Sequence, residues 1–434
     1  MTKISFLGGC REVGRSAVLI ESNRGTKCIL DYGVRFNNDE RLPYDTDLSN
    51  LKAIALSHCH IDHSGGLPYL IKNFDVPLFT NPLTLRITEI LLKDMIKISN
   101  YHYPFGYREI DKLRKYAHFL ENENRKKIDE DFYITFYNAG HIPGSVSMLI
   151  EVDKKKLLYT GDINLINTNL IYPTETSIIP RIDAVITEST YALRDHPLRK
   201  ELERDFVESV IDVNENGGRV LIPAFGVARS QEVLLILNKY NLKNQIYVDG
   251  LARKVSVAYY DYPSYFRDFN YYKKSLKKAE FVSEKNRKKI AHKSNSIIIS
   301  SSGMLRGGAA IDYIKLLLDD PNSAIYLVGY QVEGTPGRKL LDEKIFEFQL
   351  NKKNKNPSRK IIKKANCQVD YYDFSSHADR KHLMKYIHNL NFVDNSKYVF
   401  CIHGEDKVTT SFARDLANEG YNSVAPETGE VYSI

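Results

Sequence analysis

The feature that most limits how this chain can fold is a change of rhythm near residue 193. Before it run short apolar stretches separated by turns: KISFL, SAVLIE, KCILDYG and AIALS, then DFYITFYNA, VSMLIEV, KKLLYTGD and DAVITES. Helical spacing interrupts them at Gly66–Phe74 and about Thr84–Ile98. Mostly-β sequence with a few covering helices predicts two sheets packed face to face and flanked by helices. After residue 193, helix and strand alternate. Helical patterns over Lys200–Val213, Ala228–Tyr240, about Ala252–Tyr260 and Gly308–Leu318 separate the strands RVLIPA, QIYVDG, SIIISS and AIYLVGY. That alternation predicts a doubly wound, largely parallel α/β domain. Residues 351–360 read as a charged loop, and the tail returns to strands at QVDYYDFSSH and YVFCIHGE. No internal repeat is present.

A chain of 434 residues can build two or three cores of ordinary size. Hydrophobic residues make up 43 % and charged residues 26 %, and no apolar run reaches 18 residues, which excludes a membrane-spanning helix. The start, MTKISFLGGC, reads as a strand entering a glycine turn, not as a signal peptide, so the cytoplasm is the expected compartment. The five cysteines form no CxxC pair, so neither a disulfide framework nor a cysteine zinc site is expected. The net charge of +7 is unevenly placed. Residues 271–293 hold nine Lys/Arg against two Glu, residues 352–364 hold seven Lys/Arg and no acid, and the remainder is acidic. Two basic stretches on an acidic body suit a polyanion bound on one face. Two solvated loops would look the same.

The sharpest cluster is Ser57-His58-Cys59-His60-Ile61-Asp62-His63, between a buried strand and the helix start Ser64-Gly65-Gly66. Residues two apart in extended chain point the same way, so His58 and His60 can grip one ion, with Asp62 and His63 turned toward a second. Imidazole and carboxylate are ligands that zinc accepts. More strand ends carry the same chemistry: Ala139-Gly140-His141, Thr160-Gly161-Asp162 and Ile402-His403-Gly404-Glu405. A carboxylate with two oxygens, such as Asp162, can bridge paired ions, which lie about 3.5–4 Å apart in two-metal hydrolases.

The order Asp31, His58-x-His60-x-Asp62-His63, His141, Asp162 resembles the signature of the metallo-β-lactamase superfamily. Thr187-Glu188-Ser189-Thr190-Tyr191, Ser375-Ser376-His377-Ala378-Asp379 and Ile402-His403-Gly404-Glu405 resemble the three further motifs of its β-CASP nucleases, and Pro223-Ala224-Phe225-Gly226 and Ser301-Ser302-Gly303-Met304 are similar to other hallmarks. The resemblance implies an α/β fold: a metallo-β-lactamase αββα sandwich (1–192 and 374–434) with an inserted doubly wound β-CASP domain (193–373). It assigns His58, His60 and His141 to one zinc, Asp62, His63 and His403 to another, and Asp162 to both, making two zinc ions per chain. Asp31 would orient the ligand loop. Glu188 would fix His377, which would protonate the leaving 3′-oxygen or clasp the phosphate.

Histidine at position 403 is similar to the RNA-cutting branch, which makes single-stranded RNA the expected partner. No membrane is implied, and a homodimer is the assembly weighed. Backbone N–H groups at Ser301, Ser302 and Gly303, with Arg229, Arg306 and Arg338, are the expected phosphate contacts. The segment Gly8-Gly9-Cys10-Arg11-Glu12-Val13-Gly14-Arg15-Ser16 is most similar to the mRNA 3′-end endonuclease of the cleavage and polyadenylation specificity factor, in a short archaeal-type form whose catalytic part starts at Met1 without KH domains. A 5′-to-3′ exonuclease of the RNase J type shares the metal motifs. A small-molecule metallohydrolase and a metal-free RNA-binding pseudoenzyme are the remaining alternatives.

Overall fold

The computed structural model describes residues 1–36, 41–99, 101–349, 360–393 and 397–434. The chain parts into two compact units, residues 1–195 with 376–434 and residues 196–375.

In the first unit, two seven-stranded sheets face each other. One runs in the order Val431–Ser433, Lys3–Gly8, Ala17–Glu21, Lys27–Leu30, Leu51–Ala55, Leu78–Thr80, Ala117–Phe119. The other runs Asn422–Val424, Tyr398–Ile402, Ala184–Glu188, Lys155–Tyr159, Val146–Val152, Phe132–Asn138, Lys126–Asp129. Alternate side chains explain the layers. Ile4, Phe6, Val18, Ile20, Cys28 and Leu30 meet Phe132, Ile134, Phe136, Met148, Ile150 and Phe400 between the sheets. Their neighbours Leu7, Leu19, Ile29 and Ile54 point outward under the helices Leu67–Asn73, Pro82–Ile98 and Tyr107–Tyr116. Leu149, Leu158, Val185 and Val399 do the same under Arg380–Asn389 and Asp406–Asn418. Burial on both faces is why these strands read as continuous apolar runs. All five cysteines are buried and free, and burial pushes the Cys10 thiol up to about 12, so they act as small apolar side chains.

The second unit carries a six-stranded sheet in the order Ala279–Phe281, Ile246–Asp249, Ile297–Ser300, Val220–Pro223, Ala324–Leu327, Gln368–Tyr371, with every neighbouring pair parallel. The basic stretch 271–293 is mostly helix, not loop: Phe269–Lys278, then the edge strand Ala279–Phe281 and a short helix Arg287–Ala291. The stretch expected as a charged loop, 351–360, lies outside the described residues except for Lys360. Lys360 opens a strand, Lys360–Lys364, paired antiparallel with Ile345–Gln349. Neither strand of that hairpin was expected.

Turns at the strand ends leave little slack. Gly33 N–H donates to Ser16 O at 3.0 Å, and Ser16 N–H donates to Asp62 O at 2.8 Å. A Cβ on Gly33 would sit 1.7 Å from Asp62 O, a backbone atom that cannot step aside cheaply. Gly33→Ala should therefore cost about 1–3 kcal/mol or more by overpacking and displace Asp62. Thermal unfolding would read the first effect and metal content the second; an unchanged melting temperature would contradict this packing.

Candidate metal centre

The strands of both sheets end at one set of side chains. Asp31 follows Lys27–Leu30, and His58, His60, Asp62 and His63 follow Leu51–Ala55. His141 follows Phe132–Asn138, Asp162 follows Lys155–Tyr159, Glu188 ends Ala184–Glu188, and His403 follows Tyr398–Ile402. His377 lies two residues before Asp379, whose side chain caps the helix Arg380–Asn389. Three overlapping groupings of donors result: His58, His60, His141 and Asp162; Asp62, His63 and His403; and Asp162, Glu188 and His403.

The hydrogen bonds fix which ring nitrogens carry protons. His141 Nδ1 donates to Ser376 O at 2.8 Å. Ser57 Oγ donates to Asp31 Oδ2 at 2.6 Å and so accepts from His58 Nδ1 at 3.0 Å. The Nε2 atoms of His58 and His141 are therefore lone pairs. They lie 3.1 and 3.2 Å from His60 Nδ1, which has one proton at most. On the other side, His63 Nδ1 donates to Asp31 Oδ2 at 2.7 Å. Thr190 Oγ1 donates to His403 O at 3.1 Å and accepts from His403 Nδ1 at 3.2 Å. His63 Nε2 and His403 Nε2 then face each other at 3.2 Å, with Asp62 Oδ2 3.3 Å from His403 Nε2. Converging nitrogens repel unless a proton or a metal cation lies among them.

Asp162 stands between the groupings. Its Oδ2 is 3.4 Å from His58 Nε2 and 3.6 Å from His141 Nε2. Its Oδ1 is 3.3 Å from His63 Nε2 and 3.4 Å from His403 Nδ1. Asp162 is 2 % exposed, yet Oδ1 makes no hydrogen bond among the described residues. A buried carboxylate oxygen without a donor is costly. The orphaned oxygen and the imidazole–carboxylate set both fit divalent metal binding.

The electrostatics divide the histidines into two kinds. Burial drives the His58 imidazole well below its ordinary range and His60 to about 4. Burial, with His377 next, likewise depresses His141. Burial also opposes charge on His63, but the Asp162 and Asp31 carboxylates outweigh it and hold that imidazole well above its ordinary range. Where protons are so strongly drawn beside carboxylates, a metal ion can take their place.

Asp31 is fully buried and saturated. Its Oδ1 accepts from Ser57 N–H at 2.7 Å, and its Oδ2 accepts from Ser57 Oγ, from His63 Nδ1 and from Tyr159 OH at 2.8 Å. Tyr159 has no sequence signal, because it reads as one more apolar residue of KKLLY. Glu188, 1 % exposed, accepts from Ile163 N–H at 2.7 Å through Oε1 and from His377 Nδ1 at 2.8 Å through Oε2. His377 Nε2 is then 3.9 Å from Asp162 Oδ2. Burial weighs against its charge, but Glu188 and Asp162 lift it to about 9.

The expected phosphate contacts lie in the second unit, at the C-terminal edge of its parallel sheet. Ser301 is buried and accepts the Leu251 N–H at 2.8 Å through its hydroxyl. Gly303 packs against the Ala224–Phe225 backbone, where a Cβ would meet Phe225 N at 3.0 Å. Ser302 is half-buried and Arg306 exposed. Arg229 is buried at the start of Arg229–Lys239, and Arg338 is ion-paired with Asp342 at 2.6 Å.

Family models match three stretches: residues 11–204 the metallo-beta-lactamase superfamily, residues 230–340 the Beta-Casp domain, and residues 363–426 the Zn-dependent metallo-hydrolase RNA specificity domain. "RNase aCSPSF2" of Saccharolobus solfataricus is 34 % identical over 99 % of this chain and 85 % of its own length. "Probable RNase MJ4" of Methanocaldococcus jannaschii is 35 % identical over the full length of both. "Transcription termination factor FttA" of the same organism is 31 % identical over 95 % of this chain and 68 % of its own. A crystal structure of a protein of unknown function from Enterococcus faecalis V583 shares the fold, with a TM-score of 0.61 at 14 % identity over 99 % of each chain. Sheets, strand-end donors and relatives agree, and the chain belongs to the β-CASP branch of the metallo-β-lactamase superfamily.

Proposed function

We propose that this chain is a zinc-dependent ribonuclease that hydrolyses phosphodiester bonds in single-stranded RNA, with two zinc ions per chain, and that it acts in the cytoplasm. One observation carries the reading. Two sets of lone pairs flank a single buried carboxylate, Asp162, and beside them stands His377 with its Nδ1 proton held by Glu188 at 2.8 Å. When bound, the cations would acidify water to give a nucleophile near neutral pH and offset charge growing on the phosphate oxygens.

The chain's own residues do the rest. His58, His60 and His141 would hold one ion, Asp62, His63 and His403 the other, and Asp162 would reach both. Asp31, steadied by Tyr159 and Ser57, keeps His63 in the tautomer that presents Nε2. Glu188 favours the charged form of His377 and turns its Nε2 toward Asp162. From there His377 can clasp the scissile phosphate or give its proton to the leaving 3′-oxygen.

Relatives named as RNases and the RNA specificity model support RNA as substrate. The relative named as a transcription termination factor supports single-stranded transcripts in particular. Internal cutting, as in mRNA 3′-end processing or RNA turnover, is the action proposed; 5′-to-3′ exonuclease action of the RNase J type is the second reading. Linear RNAs with 5′-triphosphate or 5′-monophosphate ends and a circular RNA separate them. Cutting of the circle supports endonuclease action, and mononucleotides released only from the 5′-monophosphate form support exonuclease action. No cutting of any RNA with metal present, or cutting that survives a chelator, would end the metal-dependent nuclease reading.

Three variants test the assignments. His377→Ala should keep both ions and lose about 10²- to 10⁴-fold in kcat; loss of metal in it would contradict the role given to His377. Asp162→Ala should lose metal together with activity, as elemental analysis would report, and two ions retained per chain would exclude the shared carboxylate. Tyr159→Phe should weaken metal binding by about 10- to 100-fold, the usual effect of removing a hydrogen bond behind a ligand. Competition with a zinc indicator would measure it, and unchanged affinity would leave Tyr159 as packing alone.

A further inference from the structure

The basic helix of the second unit carries a feature that the metal centre does not use. Phe269–Lys278 docks through Tyr272, Ser275 and Leu276, which are buried, and Tyr272 OH donates to Ser256 O of the neighbouring helix Leu251–Tyr259 at 3.0 Å. The remaining face holds Lys273, Lys274, Lys277 and Lys278 and no acid, and none of these lysines makes an ion pair among the described residues. Pairs such as Lys273 and Lys277 at i, i+4 repel one another by a few tenths of a kcal/mol. The helix macrodipole near its C-terminus offsets only part of that.

Beside this face, aromatic surface lies open. Tyr260 is 44 % exposed, and Val257, one turn earlier, is 57 % exposed. The Tyr260 ring packs against Phe269 at 5.7 Å between centroids, and Lys273 Nζ lies 5.6 Å from its centroid. Lys254, on the same side of the helix as Val257 and Tyr260, is also exposed. The acids nearest in sequence, Asp261, Asp268 and Glu280, are exposed, and Asp268 is engaged in capping the basic helix through Tyr271 N–H at 2.8 Å. A solvent-facing aromatic ring bordered by unpaired lysines is the arrangement that stacks a base while holding the phosphates on either side. An acidic protein surface would satisfy the lysines but not an open ring, and a duplex would hide its bases.

We propose that Tyr260, Lys254, Lys273 and Lys277 form an accessory binding tract for single-stranded RNA, with one base stacked on Tyr260. This deepens the ribonuclease reading and rests on it. The full chain, in a His377→Ala background so that RNA survives, would be titrated with a labelled single strand and a duplex of equal length at several salt concentrations. Tyr260→Ala should bind the single strand roughly ten-fold more weakly, and the duplex as before. Tyr260→Phe should bind like the parent. Lys273→Glu with Lys277→Glu should lower the slope of log affinity against log salt by about 1.4, two phosphate contacts at the single-strand value. Single-strand affinity unchanged in Tyr260→Ala, or lost equally on the duplex, would overturn the tract while leaving the nuclease reading standing. Competition by polyglutamate that Tyr260→Ala weakens as much as RNA binding would mark an acidic protein as the partner and overturn it too. No RNA binding by the parent in any form would instead remove both readings.

Discussion

The Asp31 carboxylate is the interaction on which the metal centre depends. It sits at the end of one sheet and takes a hydrogen bond from Tyr159 of the other, so it ties the two layers together at the edge where the ligands gather. Through Ser57 it holds the start of the HxHxDH segment, and through His63 Nδ1 it decides which nitrogen that imidazole shows to the second grouping. A fully buried carboxylate with four donors is stable only while all four stay in place. The backbone reflects the demand. Asp31 and His403 both lie in the left-handed region, at φ 58° and 50°, where non-glycine residues are uncommon. Strain of about 1–3 kcal/mol persists at such positions when the surrounding contacts over-determine them. His403 is pinned by its own N–H to Gly9 O at 2.6 Å.

Charge explains why the rest of the site is arranged as it is. Asp31, Asp162 and Glu188 are buried together with His58, His63, His141 and His403. Buried ionised groups destabilise a fold unless they are paired and hydrogen-bonded. For His58, His63 and His141, the ring nitrogen facing away from the centre is matched by a hydrogen bond to Ser57, Asp31 or Ser376 O. Among the described residues, the inward side meets only other imidazoles and Asp162. That asymmetry separates a metal centre from a satisfied polar core. His377 differs, because its inward nitrogen stands 3.9 Å from Asp162, outside every grouping of donors, while Glu188 holds the other side.

Much of this was legible in the primary structure, for identifiable reasons. The two-sheet unit could be read because strands buried on both faces appear as unbroken apolar runs, and the clustered donors stood out because polar residues that follow such runs need partners. The switch to alternating helix and strand marked the parallel sheet. Other parts were silent. Tyr159 is indistinguishable from a core residue until its hydroxyl is seen against Asp31. The helix Phe269–Lys278 was read only as a basic stretch, since its apolar face is narrow: Tyr272, Ser275 and Leu276. The Ser301 hydroxyl, which accepts the Leu251 N–H, makes a contact between segments that no local pattern announces.

What the order of residues determined alone is therefore the kind of chemistry and the layers that carry it. Ligand types, their spacing in HxHxDH and the periodicity of burial are local properties, readable one segment at a time. Tertiary structure decided the rest: which nitrogen of each histidine is a lone pair, that the two oxygens of Asp162 face different groupings, and that Glu188 meets His377 across 189 positions of chain. Those are facts about distances between segments remote in sequence, and only closing the two sheets on one another sets them.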